Sequence, residues 1–160
     1  MEPEVDPRFD DDRITAVGML IEANAAVEAA TSGTLERAGL AGPWFEVLLR
    51  LGRTPEHRLR MSDLARAMSS ITPSGLTRLI DRMSDAGLVE RVQCEEDRRG
   101  AFAVLTPAGE ERLASVLPAH LEDLERVYTS VLSCAELTAV TDALRKVRDA
   151  ASDSSSPLGP

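Results

Sequence analysis

Arg78 and Arg82, one helical turn apart, and the adjacent Arg98 and Arg99 are the residues here whose type and spacing suggest chemistry. A guanidinium is a planar fork of donors that matches phosphate oxygens and guanine edges, and it stays charged at any physiological pH. Small or polar residues precede and flank the first pair: Thr72, Pro73, Ser74, Gly75 and Thr77. Small side chains at a helix start allow close approach to base edges, and the free N–H groups there favour an anion. Arg78 falls one turn in, within reach of a guanine edge or a phosphate. Arg82 is better placed for backbone phosphate. Asp81 would be repelled by a polyanion, so it is expected to pair within the protein and aim an arginine. Arg98 and Arg99, beside Asp97 in a polar loop, would project as an arm into a minor groove.

Other chemistries find little support. There is no Gly-rich phosphate loop and no cluster of metal ligands, and His57 and His120 stand alone. Cys94 and Cys134 are too few for a disulfide scaffold or a closed zinc site. Glu95, Glu96 and Asp97 beside Cys94 disfavour a thiolate, so redox sensing is not expected. No catalysis, metal or cofactor is expected. There is no basic leader before an apolar stretch and no run of about 18 apolar residues. A cytoplasmic protein with reduced thiols and no membrane partner is expected.

The net charge of −9 seems to argue against nucleic acid, but it is unevenly spread. Residues 58–99 carry a net +1, and the remainder carries −10. Affinity for a polyanion depends on local cations near phosphates, so the total does not decide the matter.

Periodicity indicates which elements position these residues. Residues 1–12 and 152–160 are acidic or Ser/Pro-rich and are expected to be disordered. A first helix is expected from Arg13 to about Ala38, with Ile14, Val17, Leu20, Ile21 and Ala25 at helical spacing. Thr31-Ser32-Gly33 threatens to break it; Gly39 and Gly42-Pro43 close it and open a second helix over 43–53. Arg53 to Arg58 is a polar connector. Met61 to Ser69 is a short helix capped by Ser62, and Thr72-Pro73 starts another that ends at Gly87. On that helix Leu76, Leu79, Ile80 and Met83 should face inward. The period then changes to two: 88–93 and 101–105 are expected to be strands joined by the charged loop, a β-hairpin. Thr106-Pro107 starts a long helix to about Leu132, kinked at Pro118, and Ser133 caps a last one to about Ala151. The fold class is mainly α with a small β-hairpin wing.

Short helix, turn, second helix and hairpin is the order of a winged helix-turn-helix, which places one helix in a major groove. Residues 43–106 would form that DNA-reading domain. The helices over 13–42 and 107–151 carry apolar stripes that so small a domain cannot cover. A second copy of the chain would cover them, giving a homodimer.

The stretch Asp97-Arg98-Arg99-Gly100 running into Ala101–Leu105 and Thr106 resembles the wing signature of the MarR family of winged helix-turn-helix regulators. Leu64–Met68, Ser74–Met83 and Gly87–Arg91 are similar to that family's helix-turn-helix and strand entry. The resemblance covers roughly residues 13 to 150. It implies a homodimer with interlaced terminal helices, each recognition helix in a major groove and each wing in a minor groove. It also implies a pseudo-palindromic operator on double-stranded DNA and, usually, repression. Asp97 would orient Arg99, and Arg99 would make the minor-groove contact. Release by a small aromatic or phenolic ligand is a frequent family property; Met19, Trp44, Phe45 and Arg50 lie where the cleft would be, although their spacing is equally that of core residues. The competing expectation is a winged-helix interaction or dimerisation module that touches no DNA, which the acidic total charge favours.

Overall fold

A computed structural model describes residues 6, 9–68, 70–93 and 100–154. Six α-helices and three short strands follow one another: α1 (Asp12–Arg37), α2 (Gly42–Gly52), β1 (Arg58–Arg60), α3 (Met61–Ala67), α4 (Pro73–Asp85), β2 (Val89–Gln93), β3 (Ala101–Leu105), α5 (Pro107–Val127) and α6 (Cys134–Ser154). The chain divides into two compact units, one of residues 1–30 and 122–160, the other of residues 31–121.

The second unit holds a continuous apolar core. Val47, Leu48 and Leu51 of α2 meet Leu64 and Met68 of the α3 region, Leu76, Ile80 and Met83 of α4, and Val89 of β2, all essentially inaccessible to water. Gly52 keeps α2 close to α5, because a Cβ there would touch Leu113 Cδ2 at 3.0 Å. The Arg112 guanidinium donates to the Ala38 carbonyl and ties α5 to the end of α1.

The helix ends follow from local sequence. Gly39 adopts φ +63°; its N–H reaches the Glu36 carbonyl, and the Leu40 N–H reaches Leu35. Gly87 repeats the pattern after α4 with φ +73°, its N–H on Ser84 and the Leu88 N–H on Met83. Both are Schellman closures, which need a residue without a Cβ penalty in the left-handed region. Thr106 Oγ1 accepts from the Gly109 N–H at 3.0 Å and donates to the Gly87 carbonyl at 2.7 Å, so the start of α5 is tied to the end of α4.

The sheet has the order β1-β3-β2, antiparallel throughout. The connector after α2 does not simply run on; it turns through Glu56 and His57, both at positive φ, and enters β1, which pairs Arg58 with Val104 and Arg60 with Phe102. A three-residue Arg-Leu-Arg segment is too short to show a period, and its partner lies more than forty residues away. The expected Ser62 cap is also absent. Arg60 takes the cap position of α3 with no side-chain hydrogen bond, and the helix ends at Ala67 rather than Ser69. Thr31-Ser32-Gly33 does not interrupt α1, and the long helix stops at Val127, followed by a 3₁₀ turn over Thr129–Val131.

The first unit is different in kind. Ile14, Val17, Met19, Leu20 and Ile21 of α1, and Leu144 and Val147 of α6, are exposed. Leu144 and Val147 sit one turn apart on α6, and among the described residues of one chain nothing covers them. By length and composition alone α1 would suffice to cross a membrane, although Glu22 and Glu28 sit inside it. At the start of α6, Glu136 accepts from the Ser133 N–H at 2.8 Å while the Glu136 N–H donates to Ser133 Oγ at 3.3 Å, a reciprocal capping box.

Candidate nucleic-acid interface

α4 forms where expected, and its cap is built from the residues singled out. Thr72 holds extended geometry, its Oγ1 accepts from the Gly75 N–H at 3.2 Å, and Pro73 occupies the first turn, where it forfeits no helical hydrogen bond. A Cβ on Gly75 would sit 3.1 Å from both Ile71 Cγ2 and Thr72 Oγ1. A Cβ would thus crowd the cap, so the small residue suits the cap itself, quite apart from any ligand.

The two faces of α4 separate cleanly. Leu76, Ile80 and Met83 are buried, and Leu79 is half-buried against the same core. Thr72, Pro73, Ser74, Arg78, Asp81 and Arg82 are exposed, with Gly75 and Thr77 half-buried between. Thr77 Oγ1 donates back to the Pro73 carbonyl at 3.1 Å, so its hydroxyl is partly committed within the helix. Among the described residues no carboxylate pairs with Arg78.

Asp81 does find an arginine, though not one on its own helix. Its carboxylate lies 3.7 Å from the Arg91 guanidinium on β2. The pair bridges α4 and the hairpin strand. Arg91 was not singled out from sequence, because nothing in a helical or a strand period relates positions on two different elements. Arg82 also has a partner that sequence did not offer: its guanidinium carbon lies 5.8 Å from the centre of the Trp44 ring on α2. Arg58 and Arg60 form a second such arrangement, each 5.1 Å from the Phe102 ring on the sheet.

The hairpin that would carry the wing is paired from Val89↔Leu105 to Gln93↔Ala101. Its tip, with Asp97, Arg98 and Arg99, lies outside the described residues, as do Cys94 and Ser69. Cys134 is an exposed free thiol. Among the described residues no group of three or more His, Cys, Asp or Glu gathers as a metal site.

Of the four candidate cleft residues, Trp44, Phe45 and Arg50 belong to the second unit and Met19 to the first. Met19 is exposed on α1 in the first unit. Phe45 is 5% exposed and belongs to the core, its ring 4.6 Å from that of His120. His120 is consequently half-buried against an aromatic ring rather than a plain surface histidine. Trp44 is half-buried beneath Arg82, and Arg50 is held by Glu46 at 2.5 Å. A shallow cleft of about 220 Å³ does include Arg50, but its other walls are Arg53, Thr54, Leu59 and Ala67.

A MarR family model matches residues 38–100, the span from the end of α1 to the wing loop. AbsC of Streptomyces coelicolor, a MarR family transcriptional regulator, is 34% identical and superposes with a TM-score of 0.77 over 89% of this chain and 96% of its own. This chain belongs to the MarR family. Another MarR family regulator of the same organism, Sco3205, has been solved in complex with DNA; it is 30% identical, with a TM-score of 0.75 and 92% of each chain covered. The transcriptional repressor MprA of Escherichia coli (strain K12) is 30% identical over 113 residues, 71% of this chain. The chain spans only 63% of the length of MprA. Membership of the MarR family accounts for the winged helix-turn-helix order and for the division of α4 into a buried and a polar face.

Proposed function

We propose that this MarR family chain is a transcriptional regulator, a repressor, that binds a pseudo-palindromic operator in double-stranded DNA as a homodimer and has no enzymatic activity. Residues 43–106 read DNA, and the helices over 13–42 and 107–151 pair the two copies. The observation that carries this is the outer edge of α4. It carries the exposed Thr72, Ser74, Arg78, Asp81 and Arg82, polar and net cationic, while the opposite face anchors the core.

The chemistry of that edge suits a duplex. The open N-terminal turn of α4 carries only small groups, so the backbone can come near base edges. Among the described residues no carboxylate pairs with Arg78, which leaves it for a guanine edge or a phosphate. Asp81 lies 3.7 Å from the Arg91 guanidinium, which lessens the repulsion it would otherwise exert on DNA. The DNA complex of Sco3205 and the repressor assignment of MprA favour this function over an interaction module that touches no DNA. Arg99, oriented by Asp97, is assigned the minor-groove contact on the strength of the wing signature. Two α4 helices in a dimer would stand about one helical turn of DNA apart, roughly 34 Å.

Selection of bound duplexes from a random library tests this. Recovered sites should show two half-sites with two-fold symmetry, and the affinity of the wild-type protein should fall steeply with salt. Arg78→Ala and Arg99→Ala should each bind the recovered site at least about tenfold more weakly while remaining folded. Recovery of no preferred duplex, or full affinity in both variants, would overturn the proposal.

A further inference from the structure

We infer that Trp44 is a positioning residue for DNA binding: its indole face holds the Arg82 guanidinium at the height where a backbone phosphate would meet it. The inference deepens the proposed function and rests on it. Trp44 is the single tryptophan of the chain and stands near the start of α2. Arg82 stands in the last turn of α4, and its guanidinium carbon lies 5.8 Å from the indole centre. That distance is within the range over which the negative face of an indole attracts a cation.

Three observations make the contact more than a surface coincidence. The Trp44 ring packs against the buried core on one side, so it offers Arg82 a fixed platform rather than a mobile one. Arg82 is exposed, and among the described residues no carboxylate pairs with it, so no ion pair occupies its N–H donors. The neighbouring Asp81 is turned to Arg91 and does not compete for Arg82. A long arginine side chain free in water loses rotamer freedom when it grips a phosphate. Resting on a rigid ring removes part of that loss beforehand. It also aligns the planar fork while keeping the full positive charge.

The ring and the phosphate do not exclude each other. A guanidinium lying over a ring at 5.8 Å still presents its N–H donors, and those donors are what a phosphate takes. Trp44 therefore acts on DNA through Arg82, and the effect of removing it should vanish when Arg82 is already gone.

The test is a double-mutant cycle on the full chain with a duplex recovered as above. Trp44→Leu should weaken binding by about two- to fivefold, the scale of an exposed cation–π contact. Trp44→Phe keeps a ring and should recover most of the affinity. In an Arg82→Ala background, Trp44→Leu should add nothing. The slope of log affinity against log salt should become shallower by about 0.9 in Arg82→Ala, the signature of one lost phosphate contact. A merely structural role for Trp44 would leave the cycle additive. The single tryptophan gives a second readout: its emission should change on adding duplex to the wild type and stay constant in Arg82→Ala. Additive losses, or no recovery in Trp44→Phe, would overturn the inference even with DNA binding intact. A wild-type chain that binds no duplex at all would overturn the DNA-reading function and this inference with it.

Discussion

Replacing Ile21 by serine should dissociate the dimer while leaving each chain helical. Ile21 lies on the exposed apolar face of α1 and is 63% exposed within one chain. Fully burying an isoleucine side chain contributes about 1.5–3 kcal/mol, so the part still uncovered represents about 1–2 kcal/mol if a second copy buries it. A two-fold interface contains the residue twice, so losing it should weaken the dimer by about 2–4 kcal/mol. At about 1.4 kcal/mol per tenfold, the dissociation constant should rise by about 30- to 700-fold. Sedimentation velocity over a concentration series measures this directly, and circular dichroism checks that helical content persists. An unchanged dissociation constant would refute the assignment of the α1 face to the dimer. So would a wild-type chain that stays monomeric at every concentration, because then nothing covers Ile14, Val17 and Leu20 either.

Three further outcomes are expected. Gly109→Ala replaces a poor helix former in α5, which by propensity alone should stabilise by about 1 kcal/mol, but the new Cβ would sit 2.1 Å from the Leu88 carbonyl oxygen. Overpacking should win by about 1–3 kcal/mol, and a raised unfolding temperature would contradict the packing of α5 on the α4–β2 turn. Hydrogen bonds from the Ser133 hydroxyl and then its N–H hold the Glu136 carboxyl below the ordinary carboxylate range. A depressed folded-state pKa contributes stability above the unfolded value and loses it as pH falls through the folded one. Glu136→Gln should thus melt below wild type at neutral pH, and the gap should close in acid; a gap independent of pH would dismiss the cap as a charge effect. Small phenols and aromatic acids should raise the unfolding temperature if the family's ligand release operates here, and a screen with no shift would remove a small-molecule trigger from the proposal.

Much of the framework was legible because it rests on short-range physics. Thr72-Pro73 and Gly87 bracket α4 by capping rules that involve only near neighbours, and both appear as expected. The inward set Leu76, Ile80 and Met83 follows from helical period alone. Strand 101–105 showed its alternation, since Ala101, Ala103 and Leu105 meet the core, whereas in 89–93 Val89 alone is buried and the strand is held by its pairing with β3. Failures came where sequence-distant groups meet. β1 exists because Ala103 and its neighbours offer a free edge, not because Arg-Leu-Arg favours a strand. Ser62 looked like a cap, but β1 delivers the chain so that Arg60 takes that place. Phe45 had the type of a cleft residue, and its burial against His120 is a property of how α5 lies on α2.

The order of amino acids alone determined the helix and strand boundaries near caps, the polar edge of α4 and the family, because each is written in residues within about one or two turns of one another. Only the tertiary structure decided the partners of the charged side chains: Asp81 with Arg91, and Arg82 with Trp44. A charge or a ring acts over a few ångströms in space, whatever its separation along the chain, and that proximity arises only once the core has drawn α2, α4 and β2 together.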